Sequence, residues 1–171
     1  PGSDFMVDVL KSLDFDYITT NPGSSFRGIH ESLVNYGGNR APELLTSPHE
    51  EQAIAIAHGY FKVTGRPLAM LAHGTVGLQH AAMAVYNAWC DRSPMVLLAG
   101  NHMDITSRRP GVEWSHSAQD CVRVIRDYIK WDDSPVSLQH FAESMVRAYK
   151  IAMTPPMGPV AVVLEGHLQE D

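Results

Sequence analysis

The sequence predicts an α/β domain in which a mostly parallel six-stranded sheet is covered by helices on both faces. Short apolar runs alternate with longer amphipathic or alanine-rich segments along all 171 residues, and their connections are short. The run at residues 95–99 contains no polar residue, as expected for a parallel strand buried on both faces. The length and the 44% of hydrophobic residues suit one domain, residues 1–171, with a sizeable core.

The first predicted elements follow from apolar spacing and from turn signals. A helix is expected at residues 4–13 and a β-branched strand at 17–20, which the turn sequence Asn-Pro-Gly at 21–23 ends. Ser24 or Ser25 is expected to cap the following helix, which runs to a pair of glycines.

The later elements continue the alternation. A strand at residues 43–46 precedes a helix that begins with Glu50 and ends near Gly65. Residues 68–72 form the third strand, and residues 73–77, which include two glycines, are expected to form a tight loop. The remaining elements are a helix at 78–91, a strand at 95–99, a polar loop at 101–117, a short helix near Ala118, a strand at 128–131, a helix at 137–153 capped by Ser137, and a strand at 159–164.

Composition excludes several classes of protein. The chain has 13 basic and 19 acidic residues and a formal net charge of −6, without a basic stripe, so nucleic acid is not an expected partner. No apolar run has the length of a membrane span, and no signal peptide is visible.

Cys90 and Cys121 lie far apart, so a reduced, cytoplasmic setting is expected, although the two thiols could pair. Both ends, Pro1 and the polar residues 166–171, are those expected of a fragment of a longer enzyme.

The predicted ligand site lies at one edge of the sheet. In open parallel sheets, ligands bind beyond the carboxyl ends of the strands, where residues 21–25, 47–51, 73–77 and 100–104 fall. Glu50 stands at the entrance of a helix kept slim by alanines, where a carboxylate is a candidate proton-handling group. The alternative is that this acid only offsets the helix dipole.

Several familiar motifs are absent. The glycines at 74–77 are followed by neither the Gly-Lys-Ser/Thr of a phosphate-binding loop nor the third glycine of a dinucleotide site. His49 precedes Glu50, but no second histidine stands at the spacing of a zinc-protease helix. Ser24 lies in no Gly-x-Ser-x-Gly elbow. Considered alone, a histidine at the position of His73 more often makes a structural hydrogen bond than transfers a proton.

Taken together, these loops resemble the N-terminal, pyrimidine-binding domain of thiamine-diphosphate enzymes, the group of acetolactate synthase and benzoylformate decarboxylase. The resemblance rests on an ordered set of segments over nearly the whole chain. The segments are Asn21-Pro22-Gly23-Ser24, His49-Glu50 to Gly59-Tyr60, Asn87-Ala88-Trp89, residues 93–100, Lys130-Trp131 and Pro156-x-Gly158-Pro159-Val160. It implies the thiamine-diphosphate-binding fold. It also implies a parent enzyme that decarboxylates a 2-oxo acid or ligates it to a second carbonyl compound.

The resemblance implies roles for individual residues. Glu50 would hydrogen-bond the N1′ nitrogen of the cofactor's aminopyrimidine and so promote removal of the proton from the thiazolium C2 carbon. Glu51 lies about 100° further around the helix and cannot serve equally well. His73 would shuttle protons to and from covalent intermediates, and Ser24 would bind the carboxylate or carbonyl of the substrate.

Further cofactor contacts are implied for Pro22, Gly23 and His80, although His80 stands where both relatives carry asparagine. The pair His116-Ser117 replaces a Phe-Gln pair expected in the synthases. These departures leave the substrate open. The pair Arg108-Arg109 would either clamp an anion or carry solvated charge.

The implied cofactor is thiamine diphosphate with Mg2+. The metal would be bound by a separate domain that carries Gly-Asp-Gly, which this sequence lacks, so the chain alone is expected to be inactive and to supply no metal ligand. The expected partners are a 2-oxo acid and the diphosphate-binding domain of the same or another subunit, in a homo-oligomer. FAD binding stays open.

Two alternatives remain beside this interpretation. The chain could be a natural subunit of a split 2-oxo acid decarboxylase, as in sulfopyruvate decarboxylase. It could also be a non-catalytic interaction or regulatory module that kept the fold and lost the chemistry.

Overall fold

The computed structural model of the chain describes residues 1–103 and 117–170. Within these residues, six strands form one sheet in the order β2-β1-β3-β4-β6-β5, and every neighbouring pair is parallel. The strands are β1 (Tyr17–Thr20), β2 (Glu43–Thr46), β3 (Ala69–His73), β4 (Val96–Asn101), β5 (Asp132–Asp133) and β6 (Val160–Glu165). The predicted six-stranded α/β architecture is confirmed, and the sheet is parallel throughout.

Helices cover both faces of the sheet. They are α1 (Gly2–Ser12), α2 (Arg27–Val34), α3 (Glu50–Thr64), α4 (Gly74–Cys90), α5 (Leu138–Met153) and α6 (Gly166–Glu170), with short 3-10 helices at Ser24–Phe26, Cys121–Val124 and Arg126–Tyr128. The core on one face includes Met6 of α1, Ile29 of α2 and Phe141 of α5. The core on the other face includes Ile54 of α3 and Leu78 of α4. No helix that the structure describes is long and apolar enough to cross a membrane.

The order in which successive strands are added to the sheet reverses between β1 and β3. The chain leaves β1 for α2 on one face and leaves β3 for α4 on the opposite face, although the two strands are neighbours in the sheet. The loops that follow them therefore lead to opposite faces, and at such a point open parallel sheets bind ligands in a crevice beyond the carboxyl ends of the strands. Thr20 Oγ1 fixes this edge by donating to the Leu71 carbonyl oxygen of β3, 3.0 Å away.

Most predicted boundaries are confirmed within one or two residues. Gly65 ends α3 in the left-handed conformation at φ 72°, and the Ser137 hydroxyl caps α5 by accepting from the His140 amide at 3.1 Å. The predicted loop at 73–77 is wrong, because α4 begins at Gly74, directly after β3. The predicted serine cap of α2 is also wrong, because neither Ser24 nor Ser25 caps that helix.

The sheet edge differs from the prediction as well. Residues 128–131 were the expected fifth strand, but Arg126–Tyr128 is a 3-10 helix and β5 is the acidic pair Asp132–Asp133. The expected short helix near Ala118 is the 3-10 helix Cys121–Val124. Asn101 belongs to β4 rather than to the predicted loop, most of which lies outside the described residues. Cys90 and Cys121 are both free thiols, so they do not pair.

Candidate functional site

The connection from β2 to α3 places Glu50 beside the crevice. The Ser47 amide donates to the Thr20 carbonyl oxygen at 2.8 Å, and the Ser47 hydroxyl donates to the His49 carbonyl oxygen at 3.0 Å. These bonds hold the connection against the end of β1. His49 then caps α3, since its Nδ1 accepts from the Glu51 amide at 3.2 Å. Glu50 is therefore the first residue of a rigid helix rather than a loop residue.

The Glu50 side chain is turned inward. The residue is only 5% exposed, whereas Glu51 is exposed, as the angle between successive helical residues requires. Among the described residues, none donates a hydrogen bond to the Glu50 carboxylate. A Cβ built on Gly77 would lie 3.2 Å from Glu50 Oε1 and 3.3 Å from His73 Cβ. Glu50, His73 and the first turn of α4 thus meet in one place.

His73 ends β3 and contacts the loop that follows β1. Its Nδ1 lies 2.8 Å from Ser25 Oγ, and Ser25 Oγ accepts from the Gly74 amide at 3.3 Å. Gly23 packs on the ring, because a Cβ built there would lie 2.7 Å from His73 Cβ and 2.8 Å from Cγ. Only a glycine allows this approach.

Of the two neighbouring serines, the one that contacts His73 is Ser25. Ser25 is 3% exposed, whereas the predicted residue Ser24 is exposed and lies on the outer side of the same loop. Gln169 of α6, which is 1% exposed, donates through Nε2 to the Ser25 carbonyl oxygen at 3.1 Å. Sequence reasoning missed both Ser25 and Gln169 as site residues. The pairing of Ser24 with Ser25 in the loop could have indicated the first, but no sequence signal indicated the second.

The remaining predicted residues line the rim. Pro22 is exposed beside Gly23, and His80 is exposed on α4. The His80 ring meets the ring of His49 edge to face, with centroids 5.0 Å apart. His80 therefore lies next to the residue that precedes Glu50. The pair Arg108-Arg109 and His116 lie outside the described residues.

A separate cavity of about 460 Å³ opens at the ends of β4 and β6. Asn101, Cys121, Arg126 and Glu165 line it, and none of the predicted site residues does. Burial, with smaller effects of Glu165 and Asp120, raises the pKa of the Cys121 thiol to about 12, so this thiol stays protonated at neutral pH. In residues 1–103 and 117–170, no three His, Cys, Asp or Glu side chains are grouped to hold a metal ion.

The fold and the crevice define a class of protein. It is a parallel α/β domain in which a buried glutamate, a histidine and the first turn of a helix lie together at the point where the strand order reverses. The sequence model described as "Thiamine pyrophosphate enzyme, N-terminal TPP binding domain" matches residues 1–122, and the chain belongs to this family. The resemblance inferred from the sequence motifs is confirmed.

Curated relatives match most of this chain but only part of their own length. Benzoylformate decarboxylase of Pseudomonas aeruginosa is 28% identical over 142 residues, which are 78% of this chain and 26% of that protein. Acetolactate synthase large subunit of Haemophilus influenzae is 25% identical over 163 residues, which are 94% of this chain and 27% of that protein. The chain thus spans about a quarter of the length of these relatives.

Solved structures show the same fold. Benzoylformate decarboxylase from Polynucleobacter necessarius has a TM-score of 0.85 at 20% identity, over 99% of this chain and 30% of that one. The thiamine diphosphate-dependent 4-hydroxybenzoylformate decarboxylase of Rhodococcus jostii has a TM-score of 0.82 at 23% identity, over 98% of this chain and 30% of that one. These likenesses establish the thiamine-diphosphate-binding fold.

Proposed function

We propose that the chain is the pyrimidine-binding domain of a thiamine-diphosphate enzyme that decarboxylates a 2-oxo acid or ligates it to a second carbonyl compound. The observation that carries this proposal is the Glu50 carboxylate, which is 5% exposed and receives no hydrogen bond from the described residues. Its oxygens are not among the fully buried, unpartnered polar atoms of the described residues, so the carboxylate still reaches the surface, where a ligand can supply a hydrogen-bond donor.

The aminopyrimidine ring of thiamine diphosphate fits this position. The ring is flat and carries a nitrogen, N1′, that becomes a hydrogen-bond donor when it is protonated. Glu50 supplies the matching acceptor, and Gly77 leaves open the space that a side chain would take from Glu50 and His73. The site is held on the first turns of α3 and α4, so the acceptor is fixed before the ligand arrives.

The bound cofactor supplies a carbon nucleophile and an electron sink for decarboxylation. Glu50 holds the proton at N1′, and the burial of this carboxylate excludes water that would compete for it. His73 moves protons on the substrate side of the crevice. The exposed hydroxyl of Ser24 binds the substrate carboxylate or carbonyl, and Pro22, Gly23 and His80 contact the cofactor from the rim. The named relative benzoylformate decarboxylase, whose substrate is a 2-oxo acid, supports this assignment.

The diphosphate and its Mg2+ belong to a second domain in this proposal. The sequence contains no Gly-Asp-Gly, and the described residues contain no group suited to a metal. The chain is then one half of a shared site in a homo-oligomer, completed by the diphosphate-binding domain of the same or another subunit. The free state of both cysteines supports a reduced, cytoplasmic compartment.

The test replaces Glu50 in the protein that carries this domain together with its diphosphate-binding domain. Glu50→Gln keeps the size of the side chain but removes the proton-holding carboxylate, so exchange of the thiazolium C2 proton should slow by about 100-fold or more. The measurement is hydrogen–deuterium exchange at C2, followed by NMR of the quenched cofactor. Glu51→Gln is the matched control, because Glu51 is exposed on the same helical turn. Near-normal exchange in Glu50→Gln would refute the role of Glu50.

A further inference from the structure

Ser25 is held in place by contacts on several sides. Its hydroxyl oxygen lies 2.8 Å from His73 Nδ1 and accepts from the Gly74 amide at 3.3 Å. Its carbonyl oxygen accepts from Gln169 Nε2 at 3.1 Å. A Cβ built on Gly100 of β4 would lie 2.5 Å from both Ser25 oxygens. The hydroxyl therefore has no room to move toward β4.

The direction of the bond to His73 is inferred from the donors and acceptors around the Ser25 hydroxyl. A serine hydroxyl has one proton to donate and two lone pairs with which to accept. The Gly74 amide can only donate, so it occupies a lone pair of Ser25 Oγ. The second lone pair would also allow Nδ1 to donate, but only the arrangement in which Nδ1 accepts pairs the Ser25 proton as well. An Nδ1 that accepts carries no proton, so the neutral ring carries its proton on Nε2.

The ring of His73 is also held in orientation. Gly23 packs against it so closely that a Cβ there would lie 2.7 to 3.0 Å from three of its side-chain carbons. Gly23 and Ser25 belong to the same short loop, which α6 secures through Gln169. One loop therefore fixes the orientation of the ring by packing and the position of its proton by a hydrogen bond.

We propose that Ser25 is a positioning residue that holds neutral His73 in the tautomer protonated on Nε2. Resting on the proposed function, this fixes which nitrogen of the His73 ring carries the proton that His73 moves in the crevice. Ser24 and Ser25 then have different roles. Ser24 meets the substrate from the surface, and Ser25 acts through His73.

The test reads the tautomer directly and needs neither cofactor nor turnover. The chain is labelled with 15N-histidine, and proton–nitrogen correlation spectra of the imidazole rings are recorded near neutral pH. The His73 signals are assigned from their loss in His73→Gln, since the chain has nine histidines. The wild type should show the pattern of a ring protonated on Nε2. If His73→Gln does not fold, the ring signals are assigned through the backbone of the wild type. A ring protonated on Nδ1 would overturn the proposal.

Variants of the two serines test whether Ser25 sets the tautomer of His73. Ser25→Ala should lower the ratio of the Nε2-protonated to the Nδ1-protonated tautomer of His73 about fivefold. This change corresponds to the loss of one hydrogen bond of about 1 kcal/mol. Ser25→Thr, which keeps a hydroxyl, should restore the wild-type pattern, and Ser24→Ala should not change it. An unchanged tautomer ratio in folded Ser25→Ala would contradict the assignment. This result is independent of C2 exchange in Glu50→Gln, so failure of one proposal is distinguishable from failure of the other.

Discussion

At the scale of single residues, two glycines in helices have opposite surroundings. Gly77 in α4 faces Glu50 Oε1 and His73, whereas a Cβ built on Gly59 in α3 would meet nothing within 4 Å. Alanine is favoured over glycine by about 1 kcal/mol within a helix. A glycine-to-alanine substitution at position 59 therefore changes helix propensity alone. At position 77 the same substitution also crowds the side chains of Glu50 and His73.

Gly59→Ala should raise the melting temperature of the chain by about 2–4 °C, the shift that about 1 kcal/mol produces in a domain of this size. Gly77→Ala should give no rise, because the new methyl group would lie 3.2 Å from Glu50 Oε1 and 3.3 Å from His73 Cβ, closer than ordinary van der Waals contact. Thermal unfolding followed by circular dichroism measures both. An equal rise in the two variants would show that Glu50 does not lie against Gly77.

The residue that approaches His73 could not be selected from the sequence. Ser24 and Ser25 are adjacent, equally polar and both in a loop, and the motif resemblance favoured Ser24. The 3-10 turn at Ser24–Phe26 decides which hydroxyl faces inward, and that turn depends on contacts with Gly100 and Gln169, far away in the chain. Glu50 could be distinguished from Glu51 because helical geometry separates successive residues by about 100°.

At the scale of elements, glycines misled the prediction of α4. Gly74 and Gly77 were interpreted as turn residues, but both lie in the helix, where Gly77 permits close packing against the neighbouring helix and strand. The position of β5 was also missed, because Asp132 and Asp133 have poor strand propensity. Their carboxylates are satisfied by side chains on other elements, which the sequence does not reveal. The central strands were predictable since their apolar runs are unbroken.

Asp133 joins the edge strand to α5. Its carboxylate accepts hydrogen bonds from Ser144 Oγ, from the Ser134 amide at 2.9 Å and from His140 Nε2 at 3.0 Å. The His140 ring donates from Nε2 because its Nδ1 already accepts from the Val136 amide. Burial alone would raise the pKa of Asp133, but the hydrogen bonds from Ser144, the Ser134 amide and His140 outweigh it and lower the pKa below its ordinary value.

Ser144→Ala should therefore destabilise the chain by about 1.5–3 kcal/mol at neutral pH, the typical loss of a hydrogen bond to a charged group. A lowered folded pKa gives stability that is present above the ordinary value near pH 4 and is lost as the pH falls through the folded value. The difference between wild type and variant should thus shrink in acid. Urea unfolding from neutral pH to about pH 3 measures it.

Gln139→Ala on the exposed side of α5 is the control for Ser144→Ala. Within the part of the chain that the structure describes, the Gln139 side chain bonds only to the neighbouring Glu143 on the same helix, so the change should stay below about 0.5 kcal/mol. A loss in Ser144→Ala that persists undiminished in acid would show that the ionised Asp133 carboxylate is not the group that Ser144 stabilises.

At the scale of the whole molecule, the parallel sheet gathers residues from distant parts of the chain. Gly23, Glu50 and His73 follow three different strands, and the reversal between β1 and β3 brings them to one crevice. This convergence was predictable, since the carboxyl ends of parallel strands share an edge. The contribution of α6 was not predictable. Its short sequence carries no signature of a helix that packs against the loop at residues 21–25.

The charge of the molecule argues for a divided site. The chain carries a formal net charge of −6, and the crevice contains Glu50 with Glu51 beside it on the surface. An anionic diphosphate gains little binding free energy from such a negatively charged surface, whereas the edge of an uncharged pyrimidine ring is not repelled by it. The binding energy of the cofactor is therefore expected to be split between the ring on this domain and the diphosphate with its metal on another.

Calorimetric titration of the chain alone should accordingly show weak binding of thiamine diphosphate, no tighter than that of thiamine, and unchanged by Mg2+. Adding the diphosphate-binding domain should raise the affinity by about 100-fold or more and make it depend on Mg2+, because that domain would hold the Mg2+ that offsets the charge of the diphosphate. Thiamine, which lacks the diphosphate, is the matched ligand and should gain little from either addition. Micromolar, Mg2+-dependent binding of thiamine diphosphate to the chain alone would mean that this polypeptide supplies metal ligands itself, and the divided site would be wrong.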